Sequence, residues 1–343
     1  PKHPTTGRTP PVAGLHTHPV RDPRGGRQVR AKSARRAGLG APLPAMTATP
    51  CVQRPDFHCH SLAADGVLSP TDLVARAADY GVDALALTDH DTLAGLPEAQ
   101  RAADRHGITL VPGIELSVLC GSREIHVLGL WVDPQAPVLV ERVNRQLEAR
   151  RERAVRIGAR LDKAARLEHS YHKACELADS DTPGRPWFAK MLVEAGVVRD
   201  QRHAFNRFLK KGQSGFVSTP WVSLEEGVSE LLAAGGVPVL AHPQAYGLTR
   251  KRLRELVRDF RNAGGLALEA MMPGLSPQQA ALLEECWRHF DLAVSGGSDF
   301  HSPQQKWLAL GGLPPFPAAG TPVWALPPAG VAPAGARVEN AAP

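Results

Sequence analysis

Six imidazoles and three carboxylates close short apolar runs, spread over about 240 of the chain's 343 residues. They are His58 and His60 in Asp56-Phe57-His58-Cys59-His60, Asp65, His90 in Thr88-Asp89-His90-Asp91, Glu115, His126, His242 in Ala241-His242-Pro243, and Asp299 and His301 in Ser298-Asp299-Phe300-His301. A strand places residues i and i+2 on one face, so His58 points with His60 and Asp299 with His301. One structural zinc is satisfied by four ligands, fewer than half of this set. Two or three divalent cations, with positions open to water and substrate, use it better. Carboxylate oxygens mixed with imidazoles suit Mn²⁺, Fe²⁺ or Zn²⁺. Water on such a cation falls from a pKa of 15.7 to about 7, and neighbouring cations can hold both that nucleophile and a phosphate oxygen. The sequence carries no P-loop and no nucleophilic Ser or Cys motif. Metal-dependent hydrolysis is therefore expected, without a covalent intermediate.

Residues so far apart meet only if the runs that carry them are strands of one curved sheet. Ser69-Pro70-Thr71-Asp72 predicts a helix start, with Ser69 as N-cap and Pro70 at the first position. Leu73, Val74, Ala77 and Ala78 form its apolar stripe, and Gly81 ends it. Residues 82–87 then predict a buried strand that delivers Asp89 and His90. A helix over about 92–106 leads to a strand at 108–111 and on to Glu115, and a strand at 125–132 carries His126. After residue 220 the rhythm resumes, with helices near 224–234, 249–263 and 277–289. The strands between and after them (237–241, 266–270 and 292–295) lead to His242, carry Glu269 and lead to Asp299. Strand–helix repeats with chemistry at strand ends predict a β/α barrel whose site lies on the C-terminal face.

Residues 135–218 differ in character. A long charged helix over 137–167 holds Arg150, Arg151, Arg153, Arg156 and Arg160, and helices near 186–195 and 200–210 follow. This segment is expected as a helical insertion capping the barrel mouth, dividing the barrel into residues 51–134 and 219–312. A Pro/Ala-rich tail, expected to be irregular, runs from 313 to 343. Arg150 and Arg153 share a helix face and are candidates to receive phosphate, and Arg185 opens a helix whose N-terminus favours anions.

Each residue also has a plainer reading. A lone buried histidine such as His126 is more often packing than ligand. Asp65 fits a turn before Gly66, and Asp89 or Asp91 fits a helix cap. Nine such residues recurring at strand ends outweigh these readings. Asp89, Asp91 and Glu269 are expected to orient ligands. His106, His169, His172, His203 and His289 lie on polar or helical stretches and are expected to be solvated.

Composition narrows the class. Residues 1–50 hold nine Lys or Arg against Asp22, a net of +8; the whole chain carries +6, which leaves −2 for residues 51–343. The basic character is thus a property of the first 50 residues, expected to be a disordered tail. The favoured reading of it is a start-site artefact, with Met46 as initiator. His16-Thr17-His18 within it is read as coincidence. A near-neutral remainder argues against a non-catalytic module that holds nucleic acid by charge. Five cysteines without C-x-x-C spacing and no long apolar run point to a reduced, cytoplasmic protein with no membrane association and no obligate protein partner.

The runs D-F-H-C-H-S-x₃-D-G, L-T-D-H-D-T, P-G-I-E-L-S, E-I-H-V-L-G, L-A-H-P and S-D-F-H, in this order over residues 55–310, resemble the PHP (polymerase and histidinol phosphatase) metallohydrolases. Within that family the chain is most similar to the 3′,5′-nucleoside bisphosphate phosphatases, including ribonuclease AM. The resemblance implies a distorted (β/α)₇ TIM-like barrel with an inserted helical subdomain and a site for up to three cations, usually Mn²⁺. All nine residues above are implied as its ligands. It also implies removal of the 3′-phosphate from nucleoside 3′,5′-bisphosphates and 5′→3′ trimming of short 5′-phosphorylated RNA. Histidinol phosphate is the alternative substrate. Two positions depart from the family pattern: Trp187 stands where His is frequent, and Gln213 stands for a Lys, a cation that Lys210 or Lys211 would replace.

Overall fold

The structure, a computed structural model, describes residues 52–326 apart from Lys306. The basic first 50 residues, His16-Thr17-His18 and Met46 lie outside the described residues, as do residues 327–343. The first half of the barrel comprises β1 (Pro55–Cys59), α1 (Pro70–Asp79), β2 (Ala84–Leu87), α2 (Leu96–His106), β3 (Thr109–Cys120) and β4 (Arg123–Leu130). Four helices follow: α3 (Pro137–Ala165), α4 (Ser170–Ala178), α5 (Arg185–Glu194) and α6 (Gln201–Ala204). The chain then returns through β5 (Val222–Ser223), α7 (Leu224–Ala233), β6 (Val237–Leu240), α8 (Arg250–Asn262), β7 (Ala267–Met271), α9 (Pro277–His289) and β8 (Ala293–Gly296).

The strands pair in the order β1-β2-β3-β4-β6-β7-β8, with β5 beside β3. The two ends of this sheet meet just past β8. The Asp299 N–H donates to the His58 carbonyl at 2.8 Å, and the His60 N–H donates to the Phe300 carbonyl at 2.9 Å. Gly297 permits this approach, since a Cβ there would lie 2.2 Å from the His58 Cβ. The result is barrel-like as expected, with one strand reversed and the sheet's ends joined by a single bridge between Cys59 and Phe300 rather than by paired strands. β4 runs antiparallel to both β3 and β6, because Gly121-Ser122 is too short a link for a crossover. Gly121 takes the left-handed φ of +59° that this turn requires.

Alternation decides what each strand offers. On β2, Ala84 and Ala86 enter a central cluster with Phe57, Val111, Leu128, Leu130, Val237, Val239 and Ala241, while Leu85 and Leu87 pack outward with α1 and α2 residues. Glu115 shares the parity of Val111 on β3, and His126 that of Leu128 on β4. Both therefore rise from the interior face. The helices cap as their sequences dictate: the Ser69 hydroxyl accepts from the Asp72 N–H at 3.0 Å, and Ser276 with Gln279 completes a capping box on α9.

Several elements differ from expectation. Helix α2 starts at Leu96, because Thr92 and Leu93 first form a turn closed by Thr92 Oγ1 and the Leu93 carbonyl. β3 extends through Glu115 to Cys120, since the hairpin partner β4 continues its ladder. Helix α4 was not anticipated. It packs against α3 at Gly158, where a Cβ would lie 2.6 Å from Tyr171. The helix expected at 200–210 is one α-turn followed by a π-helical turn, Phe205–Leu209. Helices α3–α6 have an apolar cluster of their own, including Ile157, Leu161, Phe188, Leu192 and Phe208. Residues 313–326 are packed rather than tail-like. The Val294 N–H donates to the Thr321 carbonyl at 2.8 Å, Val323 is fully buried, and the Trp324 ring lies 5.7 Å from Phe57.

Candidate metal centre

All nine candidate donors meet at the C-terminal ends of the barrel strands. His58 and His60 come from the end of β1, Asp65 from the following loop, and His90 from the loop after β2. Glu115 and His126 face each other from β3 and β4. His242 follows β6, and Asp299 and His301 follow β8. Glu115 lies at the middle. Its Oε1 is 2.9 Å from both His126 Nδ1 and His242 Nε2, and its Oε2 is 3.0 Å from His90 Nδ1, 3.2 Å from His60 Nε2 and 3.3 Å from His58 Nε2. Asp299 Oδ1 lies 3.4 Å and 3.3 Å from the Nε2 atoms of His58 and His60. Asp65 Oδ1 is 3.3 Å from His301 Nε2, and its Oδ2 is 3.9 Å from His90 Nε2.

Four overlapping groups of this set could each hold a cation: His60, Asp65, His90 and His301; His58, Glu115 and His242; His58, His60 and Asp299; and His90, Glu115 and His126. The donors fit such ions. His60 Nδ1, Asp65 Oδ1, His90 Nδ1, Glu115 Oε2 and His242 Nδ1 are buried without a hydrogen-bond partner. Buried polar atoms are rarely left so. The 3.0 Å contact between His90 and Glu115 is not aligned as a hydrogen bond, which suits lone pairs aimed at a shared cation rather than at each other.

Burial and charge tune the set. Burial opposes ionisation of Glu115, yet His90, His126 and His58 hold its carboxyl well below the usual range. Asp65 behaves alike, with His301 and His90 overcoming burial. Burial pulls His90 down to about 4 in spite of Glu115 and Asp65, which leaves it neutral. His301 goes the other way: Asp65 and Asp299 overcome burial and push it up to about 10.

A surrounding shell fixes these side chains. Glu269 accepts from His58 Nδ1 at 3.0 Å and from the His242 N–H at 2.6 Å, so one carboxylate aims two ligands. Asp89 accepts from the Ser61 N–H and hydroxyl, both at 2.7 Å, and so anchors the loop that bears Asp65. Asp91 takes Arg150 Nε at 2.7 Å, Gln146 Nε2 at 3.0 Å and the Ser117 N–H at 2.7 Å, tying α3 to the barrel. His242 (φ +29°) and Asp299 (φ +54°) hold left-handed backbone, unusual for residues with a Cβ.

The anion-binding candidates separate. A cleft beside the centre is lined by Asp65, His90, His126, Glu124, Arg150, Arg153 and Arg185. Arg150 and Arg153 both lie over the Trp221 ring, 5.4 Å from its centroid. Arg153 Nε and Nη2 lack hydrogen-bond partners, and burial beside Arg185 and Arg150 lowers its pKa to about 10 against the pull of Glu124. Lys211 is exposed and does not line this cleft. Trp187 is buried on α5 with Lys190 over its ring. His106, His169, His172 and His289 are exposed, and His203 is half-buried.

Sequence reasoning missed Glu124, Gln146, Trp221 and Tyr246. Tyr246 accepts from the His126 N–H at 2.9 Å and packs its ring 5.4 Å from His242. Glu124 bridges Arg153 and Arg185 at 3.6 Å each. Its place two residues before His126 on one strand was the available signal.

A family model for the PHP domain matches residues 56–183. The chain is 41% identical over 269 residues to a 5′-3′ exoribonuclease of Haemophilus influenzae, an alignment covering 78% of this chain and 97% of the relative. It is 37% identical over 270 residues to a 3′,5′-nucleoside bisphosphate phosphatase of Chromobacterium violaceum, covering 78% and 94%. A solved structure from C. violaceum, described as an amidohydrolase with bound sulfate and no metal, superposes with a TM-score of 0.75 at 37% identity, covering 79% of this chain and 95% of that one. No helix among the described residues is long and apolar enough to cross a membrane.

Proposed function

The chain belongs to the PHP family of metallohydrolases, and from that membership we propose that it hydrolyses the 3′-phosphate of nucleoside 3′,5′-bisphosphates and trims short 5′-phosphorylated RNA from its 5′ end. The observation that carries the reading is the convergence of nine donor residues, with Glu115 at their middle, beside a cleft where Arg153 holds guanidinium N–H groups without hydrogen-bond partners. His58, His60, Asp65, His90, Glu115, His126, His242, Asp299 and His301 are proposed to hold two or three divalent cations, with Mn²⁺ the leading candidate. When bound, such cations supply Lewis acidity: they acidify water and neutralise charge on phosphoryl oxygens.

The chain's own groups do the rest. Glu269 keeps Nδ1 of His58 engaged, which leaves Nε2 facing the centre. Tyr246 fixes the β4 backbone at His126. Arg150 is committed to Asp91 through Nε and Nη2, so its main role is to position α3. Arg153 and Arg185 are freer to receive a second phosphate, which favours a substrate bearing two. In the reaction water adds to phosphorus, the bond to the ribose 3′-oxygen breaks, and that oxygen leaves with a proton.

The test is phosphate release from adenosine 3′,5′-bisphosphate and mononucleotide release from a 5′-phosphorylated oligoribonucleotide, with histidinol phosphate as control. Activity is expected with Mn²⁺, and is lost on chelation and in His58→Ala and Asp299→Ala. A Mn²⁺-supplied protein that leaves both nucleotide substrates intact would refute the proposal.

A further inference from the structure

Six large apolar side chains are exposed among the described residues, and three of them sit on the two loops that carry Asp65 and His301. Leu62 and Val67, 41% and 42% exposed, flank Asp65. Trp307, 70% exposed, follows His301 by six residues. The loops are joined, since the Val67 N–H donates to the His301 carbonyl at 2.9 Å. Beyond His301 the chain makes two successive tight turns, closed by Gln305 N–H to the Ser302 carbonyl at 3.0 Å and Leu308 N–H to the Gln305 carbonyl at 2.9 Å. Each such turn brings its end residues within about 7 Å, so Trp307 stays within about 14 Å of Ser302 at the edge of the centre.

The removal of phosphate from a mononucleotide gives no reason for an exposed indole at this rim. A polymer does. None of the described residues among 299–310 lines the arginine cleft, so a substrate whose 5′-phosphate occupies that cleft has its remaining nucleotides free to pass over these loops instead. Every base offers a π face, and stacking on an aromatic side chain is tolerant of sequence. We propose that Trp307 is a stacking platform for the nucleobase on the 3′ side of the hydrolysed bond, with Leu62 and Val67 as its apolar border. This rests on the functional reading above and adds to it the residue that separates polymeric from mononucleotide substrates.

The decisive comparison sets Trp307→Ala and Trp307→Phe against the parent protein. Affinity for a 5′-phosphorylated single-stranded oligoribonucleotide is measured by fluorescence anisotropy under chelation, and turnover of that oligomer and of adenosine 3′,5′-bisphosphate is measured with Mn²⁺. Trp307→Ala is expected to weaken oligomer binding and raise its KM roughly tenfold or more, while Trp307→Phe restores most of both and the bisphosphate constants stay unchanged. An oligomer lacking the relevant base is expected to lose as much with the parent protein and nothing further with Trp307→Ala. Equal losses on both substrates, or an unchanged oligomer affinity, overturn the proposal. So does a Trp307-dependent shift in oligomeric size without RNA, which would assign the patch to self-association. Intact Trp307-dependent binding in a protein inactive on both substrates would sink the functional reading and leave the stacking site standing.

Discussion

Glu269 is fully buried, and it sets the aim of His58 and the backbone of His242 through its two oxygens. Removing such support typically costs 10–100-fold in metal affinity or activity. Glu269→Gln is expected to weaken Mn²⁺ binding on the order of tenfold, read by titration, with a circular dichroism spectrum like the parent's. The two stacked arginines should part company. Arg150→Ala strands Asp91 in the interior and is expected to lower stability by about 3–5 kcal/mol in urea unfolding. Arg153→Ala removes a cation whose Nε and Nη2 have no hydrogen-bond partner and whose carboxylate neighbour, Glu124, stands 3.6 Å away, and is expected to raise KM for the bisphosphate more than it lowers kcat. His301, pushed up to about 10, carries a proton at neutral pH. A cation that takes its Nε2 must displace that proton, so Mn²⁺ affinity should rise with pH across the neutral range. Calorimetry in buffers of different ionisation heat should register the released proton; a buffer-independent heat would contradict it. The donors themselves were legible in the sequence because period-two strands put them on one face. Tyr246 and Trp221 were not, since their roles arise from contacts across 120 residues and across the insertion.

At the scale of elements, Gly297 is the most exposed to test. A methyl there collides with the His58 Cβ, so Gly297→Ala must push β8 away from β1 and separate Asp299 from His58. The variant is expected to fold with lower stability and to bind Mn²⁺ at least tenfold more weakly, on the order expected when a ligand is displaced. Helices α1, α7, α8 and α9 were readable because Ser69, Ser223, Thr249 and Ser276 cap clear apolar stripes. Helix α4 escaped because no side chain caps it: Ser170 is already its first residue, and His169 enters it from left-handed backbone. β5, two residues long, exists only through its pairing with β3. The reversal of β4 could have been inferred from Gly121-Ser122, a linker fit for a hairpin and nothing longer.

For the whole molecule, the centre adds a second tie between elements that the sheet and its apolar core already join. Ligands come from β1, β3, β4 and the loops after β1, β2, β6 and β8, so cations bound there should stabilise the entire barrel. Mn²⁺ at about 100 times its Kd is expected to add roughly 2.7 kcal/mol, lost on chelation and much reduced in Asp299→Ala. Thermal unfolding with and without Mn²⁺ checks this; an unchanged midpoint would count against a shared centre. The meeting of β1 with the segment after β8 has a consequence for biosynthesis. His58 and His60 leave the ribosome some 240 residues before Asp299 and His301. A growing polypeptide therefore lacks the complete ligand set until the segment after the last strand has been released.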